Sequence, residues 1–194
     1  MLRIVCLLRS LKQTLLHTLT HCHSQADRQM RNDIFVVITL VISKCQDCPL
    51  VESGLAKAIG AYASYPEVPS RDESICKMQF SKHAEDFELK KLLFSCINIL
   101  STHPSKQTLS DTLSNTQVML ALFHYVVPIK DSLETQWSLA EFEELQLQAM
   151  SVLSVIAPIS MKDYVTFQGN SRVLALLDWC INSGWFDIFT SDED

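Results

Sequence analysis

Glycine is scarce, with four in 194 residues. That disfavours hairpin-rich β folds and the glycine-rich loops that cradle phosphates, since both rely on backbone angles that glycine adopts most easily. A basic excess is also missing. The formal charge is −6, whereas non-specific nucleic-acid binding draws on a cationic surface, so no nucleic-acid partner is expected. No run of about 18 uncharged apolar residues occurs, so neither a transmembrane helix nor membrane insertion is expected. The most apolar stretch, Ile34 to Ser43, is far too short to span. A G-x-S-x-G nucleophile elbow is absent, and Glu52-Ser53-Gly54 reads as a helix start instead.

Metal and thiol chemistry find only fragments. His17 and His21 lie four apart, on one face if helical, as two zinc ligands would. Cys22 and His23 follow, but no second tight pair completes a four-ligand site. Cys45-Gln46-Asp47-Cys48 is a lone CxxC, and no βαβ context supports a thioredoxin-like site. The seven cysteines are scattered and odd in number. They read as reduced, small core residues rather than a disulfide framework. Glu134, Glu141, Glu143 and Glu144 read as a solvated face at a helix start, where acids are favoured, rather than as acid–base machinery. No catalytic residue, metal ligand set or cofactor is expected.

What the chain does have is helical periodicity. Hydrophobic residues make up 47% of it, enough for a sizeable core. Glu144 to Ser183 reads as a long apolar helix, a stop at Pro158, a short connection, and a second helix from Gly169. That helix carries Val173, Leu174, Leu176, Leu177, Cys180 and Ile181, with Asn170 or Ser171 as its cap. The pattern recurs. Ser114-Asn115-Thr116-Gln117-Val118-Met119-Leu120-Ala121-Leu122 aligns without a gap on Gly169-Asn170-Ser171-Arg172-Val173-Leu174-Ala175-Leu176-Leu177, 55 residues later. Each copy follows another apolar helix, Leu89 to Leu100 and Leu145 to Ala157. A weaker third copy runs from Ile34-Phe35-Val36-Val37-Ile38 into Gly54-Leu55-Ala56-Lys57-Ala58-Ile59. Repeated helix pairs that cannot bury their faces alone must stack, which predicts an all-α, armadillo-like α-solenoid of about three stacked repeats.

In chain order, residues 1–26 are expected to form an amphipathic helix. They carry Arg3, Arg9 and Lys12 and no acidic residue, so a mitochondrial presequence is the competing reading. Repeats are expected over 27–183. Within them, 24–33 reads as a polar turn and Asp33 as the cap of a helix over 34–44, whose β-branched density would also suit a buried strand. Pro49 is expected to start a helix over 50–64. Residues 65–82 read as a surface loop, 85–100 as a helix, 105–115 as a short helix, 116–127 as a long helix, and 129–139 as an insertion. Residues 184–194 form an aromatic and acidic tail, in which Trp185, Phe186, Ile188 and Phe189 either cap the final repeat or bind a partner.

In the 55-residue register, Lys57, Gln117 and Arg172 occupy equivalent polar positions, and Ser64, His124 and Trp179 follow seven residues on. These helices are expected to line a groove that binds an extended protein partner through Lys57, Gln117, His124, Arg172 and Trp179, with Asn115 and Asn170 nearby as caps or contacts.

Several strings resemble an armadillo-type axonemal family of motile cilia, that of cilia- and flagella-associated protein sixty-nine. They are Ile34-Phe35-Val36-Val37-Ile38-Thr39-Leu40 with Ser43-Lys44-Cys45, Val51-Glu52-Ser53-Gly54-Leu55-Ala56-Lys57, and Asp86-Phe87-Glu88-Leu89-Lys90-Lys91-Leu92-Leu93-Phe94. Val118-Met119-Leu120-Ala121-Leu122-Phe123, Tyr164 with Gln168-Gly169-Asn170, and Leu177-Asp178-Trp179-Cys180 complete the set. Their order and spacing carry the resemblance, since each alone is a helix-packing string. The resemblance implies a shortened form of an axonemal scaffold in cilia and the sperm flagellum, without catalysis, with axonemal proteins as partners. A soluble helical mitochondrial protein and a small zinc or thiol protein are the alternatives.

Overall fold

A computed structural model describes residues 2–21, 24–45, 47–78, 80–104, 106–128 and 137–182. Among these the secondary structure is helical. The elements are α1 (Leu2–His21), α2 (Gln25–Lys44), α3 (Leu55–Ser64), α4 (Glu73–Cys76), α5 (Ala84–Thr102), α6 (Lys106–Asn115), α7 (Val118–Phe123), α8 (Leu139–Ile156), α9 (Met161–Thr166) and α10 (Gly169–Asn182). One motif repeats along the chain: a short helical piece, a sharp corner and a middle helix, followed in the first two units by a long helix. The short pieces are the 49–53 turn, in which the Ser53 amide donates to the Pro49 carbonyl at 3.1 Å, then α6 and α9. The long helices α2, α5 and α8 stack side by side, and α3 and α7 pack against them and each other. This is the solenoid arrangement the periodicity predicts, with one apolar core running through all the units.

The corners share one backbone feature. Gly54, Gln117 and Gln168 each have a positive φ, of 73°, 58° and 58°, and each immediately precedes the middle helix of its unit. Only at Gly54 is the residue suited to the left-handed region. A non-glycine residue there costs roughly 1–2 kcal/mol, while glycine costs roughly 0.5–1 kcal/mol more backbone entropy. Both glutamines are exposed, so little else is lost on replacement. Gln117→Gly and Gln168→Gly are each expected to stabilise the fold by about 0.5–1 kcal/mol, a rise in Tm of ~1–4 °C for a chain of this size. Thermal melts of the two variants check this, and a fall in Tm for both would refute the strain.

The corners also place the true repeat register. Gln117 and Gln168 lie 51 residues apart, four fewer than the 55-residue alignment. Four residues is about one helical turn, so both registers put apolar residues on the same face and periodicity alone does not separate them. In the observed register the counterparts of Arg172 are Ala121 and Ala58, and those of Gln117 are Gly54 and Gln168. The column Lys57, Gln117, Arg172 therefore does not exist, and neither does Ser64, His124, Trp179.

Other boundaries differ for local reasons. α2 begins at Gln25, capped by Ser24. The Ser24 hydroxyl accepts from the Asp27 amide at 3.2 Å, and the Asp27 carboxylate accepts from the Ser24 amide at 3.1 Å. Asp33 is thus an interior residue of α2 and not a cap, residues 25–33 are helix rather than turn, and the boundary between 26 and 27 falls in the first turn of α2. Leu8, Leu15 and Leu19 of α1 lie in the shared core, so α1 packs as part of the solenoid. Pro49 opens only a single turn, and α3 starts after Gly54. The 65–82 segment contains α4, capped by Asp72. The expected 116–127 helix is only the six-residue α7. Gln168, not Asn170 or Ser171, stands immediately before α10. Ser138 and Glu141 form a second capping box for α8. Residues 129–136 and the 184–194 tail lie outside the described residues.

The units are joined by close and polar contacts. A Cβ on Gly60 would sit 2.4 Å from Thr116 Oγ1, and the Ser64 hydroxyl donates to the Thr116 carbonyl at 2.7 Å. The helix–corner approach therefore requires glycine at position 60. One unit further on, the Ser110 hydroxyl donates to the Ile159 carbonyl at 2.8 Å.

Candidate functional site

The three long helices build one continuous face. Asn32 Nδ2 donates to the Glu85 carbonyl at 2.8 Å, tying α2 to α5. Gln148 Nε2 donates to the Lys91 carbonyl and the Ser95 hydroxyl, both at 3.0 Å, tying α8 to α5. Lys91 pairs with Glu88 of its own helix at 2.7 Å and with Glu144 of α8 at 2.8 Å across the same joint. Outward from these ties each helix presents a row at helical spacing. On α2 it is Asp33, Val36 and Leu40, on α5 Glu88, Leu92, Ser95 and Ile99, and on α8 Glu144, Leu147 and Ser151. Leu40 is 55% exposed and Leu147 74%, while Leu92 and Ile99 are half-buried. The result is an apolar strip with an acidic rim on a rigid, polar-stitched support. Such a surface can dock protein; it holds no convergent catalytic groups.

The residues expected to form a groove are scattered by the observed register. Lys57 is exposed on α3 and lines a cavity of about 280 Å³ with Lys12, Tyr62 and Asp72. Asn115, Gln117 and His124 are exposed around the α6–α7 corner and the end of α7. Asn170 accepts from the Tyr164 hydroxyl at 3.1 Å. Arg172 turns inward: its Nε donates to the Phe167 carbonyl at 3.0 Å, and its guanidinium lies over the Phe123 ring at 5.5 Å. Trp179 is half-buried against the core. Arg172 and Trp179 therefore brace α10 rather than line an open groove.

The histidine and cysteine fragments do not converge. The His17 and His21 rings stack at 4.5 Å, beside an open cleft of about 690 Å³ between α1 and α4. Cys22, His23 and Gln46 lie outside the described residues. Among the described residues no three His, Cys, Asp or Glu side chains gather as a metal site would require. Burial and the neighbouring Cys45 push the Cys48 thiol up to about 11, so it is protonated at neutral pH and a poor nucleophile. Burial does the same to Cys96, also to about 11. Among the described residues only Cys48 and Cys96 are buried, while Cys6 and Cys76 are exposed, so the reading of the cysteines as core residues holds for some of them and not for others.

Periodicity misses two buried ionic centres. Asp86 is fully buried at the start of α5 and pairs with Arg28 and with Arg31, the latter at 2.9 Å. Lys90 is fully buried and pairs with Glu67 at 2.5 Å. No helix among the described residues is long and apolar enough to cross a membrane.

Comparison with known proteins agrees with this architecture. The family described as "Cilia- and flagella-associated protein 69, ARM repeat" matches residues 1–191. The curated cilia- and flagella-associated protein 69 of Homo sapiens is 42% identical over 176 residues, 90% of this chain and 18% of the relative. That of Mus musculus is 39% identical over 175 residues, again 90% of this chain and 18% of the relative. The chain thus spans about a fifth of the length of these relatives, and the likeness reaches well beyond the strings between residues 34 and 181.

Proposed function

The chain belongs to the cilia- and flagella-associated protein 69 ARM-repeat family, and from that premise we propose that it is a non-enzymatic protein-interaction segment of the axoneme in motile cilia and sperm flagella. The observation that carries the proposal is the α2–α5–α8 face. It places exposed Leu40 and Leu147 on a rigid layer rimmed by Asp33, Glu88 and Glu144. A partner with an apolar strip and basic flanks complements that face in shape and charge. The names of the relatives support an association with cilia and flagella, and axonemal protein partners are the finer step of this proposal.

The test is expression of the full chain with a C-terminal tag in ciliated cells, followed by detergent extraction of isolated cilia. Wild type is expected to remain on the detergent-resistant axoneme. Leu40→Asp with Leu147→Asp is expected to lose about tenfold or more of that retention, the scale of one hot-spot residue. Its Tm should stay within about 2 °C, because both side chains are exposed and surface changes cost little. Equal retention of the two proteins rejects the face. A mitochondrial signal with removal of the first residues rejects the axonemal reading altogether.

The alternative contact set for the same function is drawn from the exposed residues Lys57, Asn115, Gln117, His124 and Asn170. Lys57→Glu with His124→Glu separates it from the long-helix face, since only one of the two double variants should release the chain.

A further inference from the structure

Three lysines outside every ion pair of the described residues converge on one groove. Those pairs take up Arg28, Arg31, Lys90 and Lys91. Lys12, Lys57 and Lys77 enter none of them, and all three line the space between α1 on one side and α3 with α4 on the other. Two cavities adjoin there. The one of about 280 Å³ holds Lys12 and Lys57, and the open cleft of about 690 Å³ holds Lys77, His17 and His21. Gln13, Leu16 and Ser74 line both, so the two form one continuous trough. The fold fixes its walls. Lys12 is half-buried, and its Nζ lies 3.2 Å from where a Cβ on Gly54 would sit, against the left-handed corner that opens α3. The His17 and His21 rings stack at 4.5 Å, and His21 Nδ1 donates to the His17 carbonyl at 3.0 Å. Asp72 is the acid among the described lining residues, and its carboxylate already accepts from the Ser74 amide at 2.9 Å as the cap of α4.

Length and charge select the occupant. From Lys12 to His21 along α1 is about 14 Å, the reach of about four residues of extended peptide. Lys12 and Lys57 stand at one end, Lys77 and the two imidazoles at the other, and Leu16 supplies apolar contact between them. A longer polyanion would run out over the surface of a chain whose net charge is −6. The described lining residues include no arginine, the side chain whose planar fork suits phosphate oxygens. Lysine point charges spaced along a short trough suit single carboxylates instead. We propose that this groove docks an acidic peptide segment of a protein partner in extended form, with one carboxylate paired to Lys12 and Lys57 and a second to Lys77. The long-helix face has an acidic rim and takes a partner of the opposite charge, so neither reading depends on the other.

Fluorescence anisotropy of the full chain with a labelled peptide of about six glutamates, set against a glutamine peptide of the same length, tests this. At low salt the glutamate peptide is expected to bind at least about tenfold tighter, the size that several exposed ion pairs give together. The difference is expected to vanish near about 0.5 M salt, where such pairs are screened. Lys12→Glu with Lys77→Glu is expected to remove the preference. Lys12→Gln with Lys77→Gln, which sets no new anion beside Asp72, is expected to lose most of it, so the result does not hinge on the reversed pair folding. Lys44→Glu with Lys82→Glu makes the same change in net charge at exposed lysines outside the groove and is expected to keep the preference. Equal binding of the two peptides by the wild-type chain overturns the proposal. So does an equal loss in both reversed pairs, since the effect is then one of net charge alone. A short oligothymidylate that binds more tightly than the glutamate peptide, and is released by Lys12→Gln with Lys77→Gln, assigns the groove to phosphates instead.

Discussion

Lys90→Ala is expected to destabilise the fold by about 3–5 kcal/mol, the usual range for removing one partner of a buried ion pair. For a chain of this size that lowers Tm by ~6–20 °C. The Lys90 ammonium is fully buried and donates to the Ala63 carbonyl at 2.8 Å, the Tyr65 carbonyl at 3.0 Å and the Glu67 carboxylate at 2.5 Å. It therefore closes the end of α3 and the chain that follows onto α5. Phe80, Phe94 and Tyr125 surround it, with ring centroids 5.6, 5.1 and 5.9 Å away. The Tyr125 hydroxyl donates to the other Glu67 oxygen. Burial pushes the Lys90 ammonium down from its ordinary range, while the Glu67 charge and hydrogen bond pull it back up. Taking away the lysine leaves the largely buried Glu67 carboxylate without its cation. That uncompensated charge, rather than the lost attraction, accounts for most of the expected penalty.

The charge argument has its own control. Lys90→Met keeps the packing against Phe80 and Phe94 but still strands Glu67, so it should cost nearly as much as Lys90→Ala. Adding Glu67→Gln removes the stranded charge and should recover at least about 1–2 kcal/mol of that loss, a coupling well outside additive behaviour. Chemical denaturation of these three proteins, of Glu67→Gln alone and of wild type reads both numbers. Strict additivity would show that Lys90 acts by packing alone.

Such centres explain where sequence reading succeeds and where it stops. α5, α8 and α10 are legible because their apolar residues recur at helical spacing, and Pro158 marks the end of α8. The first nine residues of α2 are not, because Arg28, Arg31 and Asn32 read as a solvated turn. All three in fact point at α5 to hold Asp86 and the Glu85 carbonyl. The Ser24-x-x-Asp27 box was the available signal, weakened by aspartate where glutamate or glutamine is usual. Gln117 and Gln168 concealed two corners, since a left-handed residue is legible mainly as glycine.

The candidate site suffered from the same physics. A shift of one helical turn leaves an apolar stripe nearly unchanged but replaces every polar residue in a column. The alignment thus recovered the repeat while assigning Arg172 and Trp179 to a groove they do not line. The long-helix face was not legible as a site, because an exposed leucine such as Leu147 is indistinguishable by periodicity from one facing the next unit. What separates them is whether another helix covers them, which is a property of the stack rather than of any local segment.

Asp86→Asn is expected to be the second most damaging change, by about 3–5 kcal/mol, and to alter the acid limb of stability. Burial raises the Asp86 carboxyl, but the Ser81 hydroxyl and amide and the Arg31 guanidinium outweigh it and hold the group below its ordinary value. The Ser81 amide donates at 2.9 Å and its hydroxyl at 2.5 Å. Since the folded value is depressed, the unfolded chain takes up the proton first as pH falls. The contribution is therefore fully present above the unfolded value of about 3.9 and is lost as pH drops through the folded value. Wild-type Tm should fall steeply below about pH 4, whereas Asp86→Asn, with nothing to protonate there, should start lower and fall less over the same window. Arg31→Met in the Asp86→Asn background should regain part of the loss, because it withdraws one of the two guanidinium charges left without their anion. Melts from pH 6 to pH 2.5 decide the matter. Parallel curves for wild type and Asp86→Asn would mean that Asp86 titrates alike in the folded and unfolded chain, so that Ser81 and the guanidinium groups do not favour its ionised form.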